Sequence, residues 1–459
     1  MRLAVAALLL AAPAAAADRP NLVFVCSDDQ RADTIAALGN RHIQTPTLDR
    51  MARDGVAFTN AFCMGAMQGA VCVPSRAMFL TGRSLFRVND QIRDIPTWPE
   101  VFRRAGYHTF GVGKWHNGPA SYARSFDAGG PVFFGGMSDQ NKVPVHAFDP
   151  AGTYPKTALK TGSEYSAKMF ADSAVRFLTD YRGDKPFFLY LTLTTPHDPR
   201  TPPAGYENRY DPATLPLPRN FAQQHPFNNG EMLVRDEKLL GWPRTERDVR
   251  RELAAYYAMI THLDAQLGRI VEMLEKRGWA KNTIVIFTSD HGLALGSHGL
   301  LGKQNLYDHS MRAPLLVTGP GIPAGGRSAA LVYLFDLFPT AAAWCGVPLP
   351  PGVEGKSLAG VVAGKEAGVR DVLFGAYRNV QRSVRTARWK LIRYPHINRT
   401  QLFDIAADPD ELRDLSADPA HAATVREMTA RLVQQQQAFG DTQPLTTATP
   451  APEQIELKR

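Results

Sequence analysis

Runs of unbroken apolar residues, rather than alternating ones, mark the strands of this chain. Asn21-Leu22-Val23-Phe24-Val25-Cys26-Ser27 is the first. A strand with no polar side is one buried on both faces of a parallel sheet. Thr109 to Gly113, Phe187 to Leu193, Thr283 to Ser289 and Pro314 to Thr318 read the same way. Helical periodicity fills the intervals. It is clearest over Glu246 to Arg277, where Leu253, Tyr257, Ile260, Leu263, Leu267, Ile270, Val271 and Leu274 recur mostly every three or four positions and make one face. Strands alternating with helices predict a doubly wound α/β sheet flanked by helices.

The pattern changes at Pro348-Leu349-Pro350-Pro351-Gly352. This predicts a large α/β domain over residues 18–355 and a smaller α+β subdomain over 356–440. In the second part, Ser383 to Tyr394 and Gln401 to Asp404 read as short antiparallel strands. Pro419 to Gln437 reads as a closing helix with Asp418 as its N-cap and Pro419 in its first turn. The Pro- and Thr-rich tail, 441–459, is expected to be loosely ordered.

The N-terminus has its own signature. Met1-Arg2 is a short positive start, Leu3 to Ala12 is apolar, and Ala15-Ala16-Ala17 fits a small-residue cleavage site. Residues 1–17 are therefore read as a signal peptide. Spanning a bilayer takes about 20 apolar residues, and Pro13, Asp18 and Arg19 end this run too early. No later segment is long and apolar enough to span, so the mature protein is expected to be secreted or periplasmic.

Composition narrows the function classes. The chain has 459 residues, 44% hydrophobic and 21% charged, which excludes wholesale disorder, collagen and coiled coil. Lys and Arg number 52 against 44 Asp and Glu, a net charge of +8. That mild bias favours an anionic substrate. With no long Lys/Arg run and no zinc-finger spacing, it does not indicate nucleic acid. Four cysteines are too few for a disulfide framework.

Candidate chemistry gathers where strands end, which is where open α/β sheets bind ligands. The first strand runs into Asp28-Asp29. The second is followed by Lys114-Trp115-His116, the third by His197 and the fourth by Asp290-His291. Taken singly, paired aspartates cap helices and a lone histidine is usually structural. Together, one sheet edge would gather them at one place. Asp28, Asp29 and Asp290 form a hard-oxygen cation site, because three clustered carboxylates repel unless a cation joins them. Calcium or magnesium suits the oxygens, and His291 tilts the set toward a transition metal. Cys72 precedes Pro74 at the start of an expected helix, Val71 to Gly82. It reads either as a thiolate activated by the helix N-terminus or as a buried cysteine beside a turn.

Cys72, Pro74, Ser75, Arg76, Leu80, Thr81 and Gly82 form Cys-x-Pro-Ser-Arg followed by Leu-Thr-Gly. At these residues the chain resembles a formylglycine-dependent sulfatase of the alkaline phosphatase superfamily. Asp28-Asp29, Gly113-Lys114-Trp115-His116, Pro196-His197, Ser289-Asp290-His291-Gly292 and Gly302-Lys303 are similar to further family motifs in the expected order. The resemblance covers roughly residues 20–415 and includes Leu402-Phe403-Asp404 and Asp408-Pro409-Asp410-Glu411.

That resemblance implies a mixed sheet of the alkaline phosphatase type and a sulfate-ester hydrolase. Cys72 would be converted to formylglycine (3-oxoalanine) by a separate maturation enzyme. Asp28, Asp29, Asp290, His291 and residue 72 would hold one divalent cation: calcium, with magnesium or manganese as alternatives. Arg76 and Lys114 would hold the formylglycine hydrate, His116 would take its second proton, and His197 and Lys303 would bind sulfate and serve the leaving group. Many family members carry asparagine where His291 stands, and the histidine-bearing subgroup leans toward sulfated sugars. Sulfated glycans or small aryl or alkyl sulfates are the implied substrates. The alternatives are a formylglycine-dependent phosphodiesterase or phosphonate monoester hydrolase, and a non-catalytic binder of sulfated glycans.

Other residues admit two readings. His298 and His309 either line the pocket or are ordinary surface histidines. Arg200 either faces an anionic substrate or is solvated. His42 reads as structural, and Cys26, Cys63 and Cys345 allow at most one disulfide.

Overall fold

In the computed structural model, residues 19–457 are described. The signal peptide read over 1–17 lies outside them. One large mixed sheet carries the molecule. Its strands lie in the order Gly326–Ser328, Val56–Phe62, Arg312–Thr318, Thr283–Ser289, Asn21–Ser27, Phe187–Thr192, His108–Lys114 and Ala128–Phe133. Val332–Tyr333 also pairs with Val56–Phe62. The five strands from Thr283–Ser289 to Ala128–Phe133 run parallel. Arg312–Thr318 runs antiparallel to both of its neighbours, which makes the sheet mixed.

The apolar runs are explained by two cores. Leu22, Phe24 and Cys26 face one of them, where Phe24 packs at 4.9 Å from Trp98 and 5.2 Å from Tyr190. Val23 and Val25 face the other, with Leu189, Leu191, Leu263, Leu267 and Ile270. Helices Ser166–Asp180 and Glu246–Lys276 cover that second side. With apolar neighbours on both faces, the interior of the first strand, Leu22 to Cys26, carries no polar or charged side chain beyond the Cys26 thiol. The long helix ends one residue before its predicted limit. Of its eight predicted face residues, six are buried, while Tyr257 and Val271 are half-buried.

The second sheet holds Arg399–Asp404, Trp389–Tyr394, Gln381–Arg385 and Leu373–Tyr377, all antiparallel. A fifth, two-residue strand joins its edge in parallel: Gly65–Ala66, from the opposite end of the chain. Asp418 caps the start of the closing segment by accepting from Ala420 N–H, as its sequence suggests. A 3₁₀ turn, Pro419–His421, precedes helix Ala422–Phe439. The tail is described as far as residue 457. It has no regular structure, yet Arg393 Nε donates to the Leu445 carbonyl at 2.6 Å, and Ala451 N–H donates to the His396 carbonyl at 2.8 Å. Pro and Thr prevent a helix there without preventing this pinned, extended course.

Candidate active site

Parallel strands deliver their carboxyl ends to one edge, and the side chains singled out above meet there. Asn21–Ser27 and Thr283–Ser289 are register neighbours, Ser27 opposite Ser289, so Asp28-Asp29 and Asp290-His291 emerge side by side. Asp29 has φ 65°, a left-handed conformation that non-glycine residues rarely hold without support. Two bonds fix this turn from the helix side. The Tyr256 hydroxyl donates to the Asp29 carbonyl at 2.5 Å and accepts from Arg31 N–H at 2.8 Å. Asp29 N–H also donates to Asp290 Oδ1 at 3.1 Å.

Cys72 is the first residue of helix Cys72–Thr81, which is buried along its whole length and ends at Gly82 in the left-handed conformation. Lys114 ends its strand just after Gly113, where φ is 102° and an added Cβ would lie 1.7 Å from the Thr192 carbonyl oxygen. Only glycine fits so close a strand pairing. Lys114 Nζ donates to Asp28 Oδ2 at 2.6 Å and to the Gly136 carbonyl at 2.7 Å, and stands 3.8 Å from Cys72 Sγ. His116 Nδ1 lies 3.5 Å from the same sulfur. Arg76 Nε donates to Asp290 Oδ2 at 3.0 Å, and its Nη2 lies 3.6 Å from Asp28 Oδ1. Lys303 Nζ donates to both oxygens of Asp29, at 2.8 and 2.9 Å. His197 Nε2 is 3.7 Å from Asp29 Oδ2.

The electrostatics follow from this crowding. Burial raises the Cys72 thiol, but Lys114, Lys303 and His116 outweigh it and hold the thiol well below its ordinary value. Position 72 therefore sits in a strongly positive potential, suited to an anion. Burial disfavours the charged form of His291, yet Asp290 and Asp29 overcome it and push the imidazole up to about 9. Three buried carboxylates are met by the three cations Arg76, Lys114 and Lys303.

The donor set also fits a cation. Asp28, Asp29 and Asp290 offer oxygens within 4.8 Å of one another, and so do the ligand atoms of Cys72, Asp290 and His291. Asp28 Oδ1 and His291 Nε2 are buried without a hydrogen-bond partner. Buried polar atoms are normally satisfied, and one ion among these oxygens and the ring nitrogen would satisfy both. Oxygens with one imidazole suit a hard or borderline divalent ion.

A cavity of about 300 Å³ opens over the cluster, lined by Cys72, His116, His197 and Lys303 and walled by Gly136, Met137, Val234, Arg235, Asp236 and Gln304. A larger cavity, about 590 Å³, lies between the edge strand and helix Ser166–Asp180 and is lined by none of the candidate catalytic or metal residues. Sequence reading did not pick out Arg235, Asp236, Asp198 or Tyr256 as participants. Arg235 and Asp236 lie in a long irregular stretch without periodicity. Tyr256 sits in a helical stripe that reads as plain core.

Three residues with open readings fall outside the cavity. His298 is half-buried and stacks on Tyr307 with ring centroids 4.0 Å apart, and His309, buried, packs 5.5 Å from the same ring. Both join the loop to the small sheet through Tyr307, whose hydroxyl donates to Gln401. The Arg200 side chain is buried against Glu252. His42 is exposed. All four cysteines are free and buried.

A mixed sheet that brings buried carboxylates and basic groups to one edge, around a buried residue at a helix start, suits chemistry on an anionic ester. The chain belongs to the sulfatase family: the Sulfatase profile matches residues 20–347, and a second profile, N-sulphoglucosamine sulphohydrolase, C-terminal, matches 296–438. It is a sulfuric ester hydrolase. It is 27% identical to an N-acetylglucosamine-6-O-sulfatase of Bacteroides thetaiotaomicron, over 93% of this chain and 88% of that protein. A protein solved in complex with its substrate, D-glucosamine-2-N,6-O-disulfate, superposes with a TM-score of 0.79 at 24% identity, over 93% of this chain and 99% of that one. The phosphonate monoester hydrolase of Agrobacterium radiobacter superposes with a TM-score of 0.73 at 23% identity, over 92% and 96%. Among the described residues, no helix is long and apolar enough to cross a membrane.

Proposed function

We propose that the protein is an exported sulfatase acting on sulfated carbohydrate, with formylglycine at position 72 and one divalent cation, calcium, held by Asp28, Asp29, Asp290 and His291. The observation that carries this reading is the pair of orphaned buried ligand atoms, Asp28 Oδ1 and His291 Nε2, beside residue 72 under one basic cavity. The maturation enzyme would act before folding, because residue 72 is only 2% exposed in the fold.

When bound, the cation would supply Lewis acidity to a sulfuryl oxygen and lower the pKa of a neighbouring hydroxyl. The formylglycine hydrate would supply two hydroxyls on one carbon, one to attack sulfur and the other to expel sulfate by C–O cleavage. The chain's own groups do the rest. Arg76 and Lys114 neutralise Asp28 and Asp290 and keep the site from repelling an anionic ester. Lys303 holds Asp29 and offers charge to the sulfate oxygens. His116, beside residue 72, is placed to take the proton whose loss releases sulfate. His197, on the opposite wall, is placed to protonate the departing sugar oxygen, worth roughly 10²–10⁴-fold in rate. A cavity of about 300 Å³ holds one sugar ring rather than several.

Mass spectrometry of the peptide containing residue 72, followed by a substrate panel, tests the reading. An intact cysteine in fully active protein would refute the nucleophile. The likeness to a phosphonate monoester hydrolase supports a second reading, phosphoester or phosphonate cleavage on the same site. Paired sulfate and phosphate monoesters and diesters with the same leaving group separate the two, and a wide margin for the phosphorus esters would overturn the sulfatase assignment.

A further inference from the structure

We propose that Asp198 and Arg235 act as a positioning clamp on His197, and that Asp236 extends the clamp to Lys303, so that both leaving-group residues are aimed from one loop. The inference rests on the proposed role of His197 as proton donor to the leaving oxygen.

The geometry runs as one chain of contacts. His197 Nδ1 lies 2.9 Å from the Asp198 carbonyl and 3.3 Å from Asp198 Oδ1. That end of the ring is committed to donating backward, which leaves Nε2 for the cavity. The Asp198 carboxylate, 4% exposed, is gripped by both terminal nitrogens of Arg235. Arg235 Nη1 also donates to Asp236 Oδ1 at 3.1 Å. Asp236 Oδ2 accepts from Gln304 Nε2 at 2.8 Å and lies 3.9 Å from Lys303 Nζ. The two active-site bases are thereby joined through a segment, residues 231–240, that belongs to none of the recognised motifs.

Arg235 lines the cavity and its side chain is 46% exposed, so the competing job is direct contact with an anionic substrate. The hydrogen-bonding pattern favours the clamp. Both of its terminal nitrogens are engaged, and two carboxylates share one guanidinium, so the trio carries net negative charge. Removing Arg235 would strip Asp198 of its two-pronged partner and leave Asp236 to Gln304 and Lys303 alone, and the loop would loosen. A planar fork holding a carboxylate in two places is the geometry that fixes orientation.

The test uses matured, metal-loaded protein and aryl sulfates whose phenols span good to poor leaving groups. Asp198→Asn and Arg235→Gln should lose about tenfold more kcat/KM on the poorest leaving group than on the best. In a His197→Ala background, adding Asp198→Asn should cost less than about threefold, because the residue it positions is gone. A uniform loss across leaving groups, or full additivity with His197→Ala, overturns the clamp. A raised KM without leaving-group dependence assigns Arg235 to substrate contact and also overturns it. Crystal structures of both variants give a readout without turnover: the His197 ring should rotate from its present position. A ring unmoved in both refutes the proposal even if the wild-type protein cleaves no sulfate ester, an outcome that would instead remove the functional reading.

Discussion

Tyr256→Phe changes one atom, yet it should loosen the metal turn. The ring is fully buried and phenylalanine keeps its shape, so apolar packing is preserved. What is lost is the hydroxyl that accepts from Arg31 N–H at 2.8 Å and donates to the Asp29 carbonyl at 2.5 Å. Both backbone groups are then stripped of a partner in a place water does not reach. Each buried group left unsatisfied costs about 1–3 kcal/mol, so the pair costs about 2–6 kcal/mol. Part of that strain is relieved if Asp29 leaves its left-handed conformation, and its carboxylate moves with it. Outer partners of this kind change metal affinity by about 10–100-fold. Calorimetric titration of Ca²⁺ into metal-stripped wild type and variant measures the effect directly, with thermal melting as the companion. Affinity within about twofold of wild type, together with an unchanged melting temperature, would show that the tyrosine does not support the turn.

Other expectations follow from the same geometry. Cys72→Ser should fold and bind Ca²⁺ normally but show no steady-state turnover, because a serine ester lacks the second hydroxyl; multiple turnover in stopped assays would contradict the nucleophile. Removing divalent cations with a chelator should abolish activity and lower the melting temperature, since buried Asp28 Oδ1 and His291 Nε2 are then left without a partner; activity that survives exhaustive chelation would sink the cation's role. Burial holds His225 at about 4 in the fold, against 6.5 in an open chain. The unfolded chain therefore binds the proton first, and stability falls as pH drops from about 6.5 to about 4. The shift amounts to about 3 kcal/mol in full and about 2 kcal/mol between pH 7 and pH 5. Urea unfolding at the two pH values, with His225→Phe as control, checks this; equal pH dependence in both proteins would refute it.

Much of this architecture was legible in the letters, for a physical reason. Strands buried on both faces leave contiguous apolar runs, and candidate site groups at strand ends leave contiguous motifs such as Gly113-Lys114-Trp115-His116. Contributions made across the fold leave no such trace. The hydroxyl of Tyr256 works through a bond to a residue 227 positions away, and nothing beside it in sequence announces that. Arg235 and Asp236 act from an irregular segment in which charge alone cannot distinguish a clamp from a solvated surface. The direction of Arg312–Thr318 was equally hidden, because an apolar run looks the same whether the strand runs up or down. His298 and His309 read equally well as pocket-lining or surface residues, and only the folded loop shows them packed against Tyr307.

The small strand Gly65–Ala66 has a bearing on the order of events during synthesis. Among the described residues its one sheet partner is Leu373–Tyr377, and the helix that begins at Cys72 follows it in sequence. A ribosome adds about 5–20 residues each second, so Gly65–Ala66 waits roughly tens of seconds for its sheet partner after residue 72 emerges. Asp290, His291 and Lys303 arrive nearly as late. A maturation enzyme of the kind proposed above would thus have its chance at residue 72 before that sheet forms.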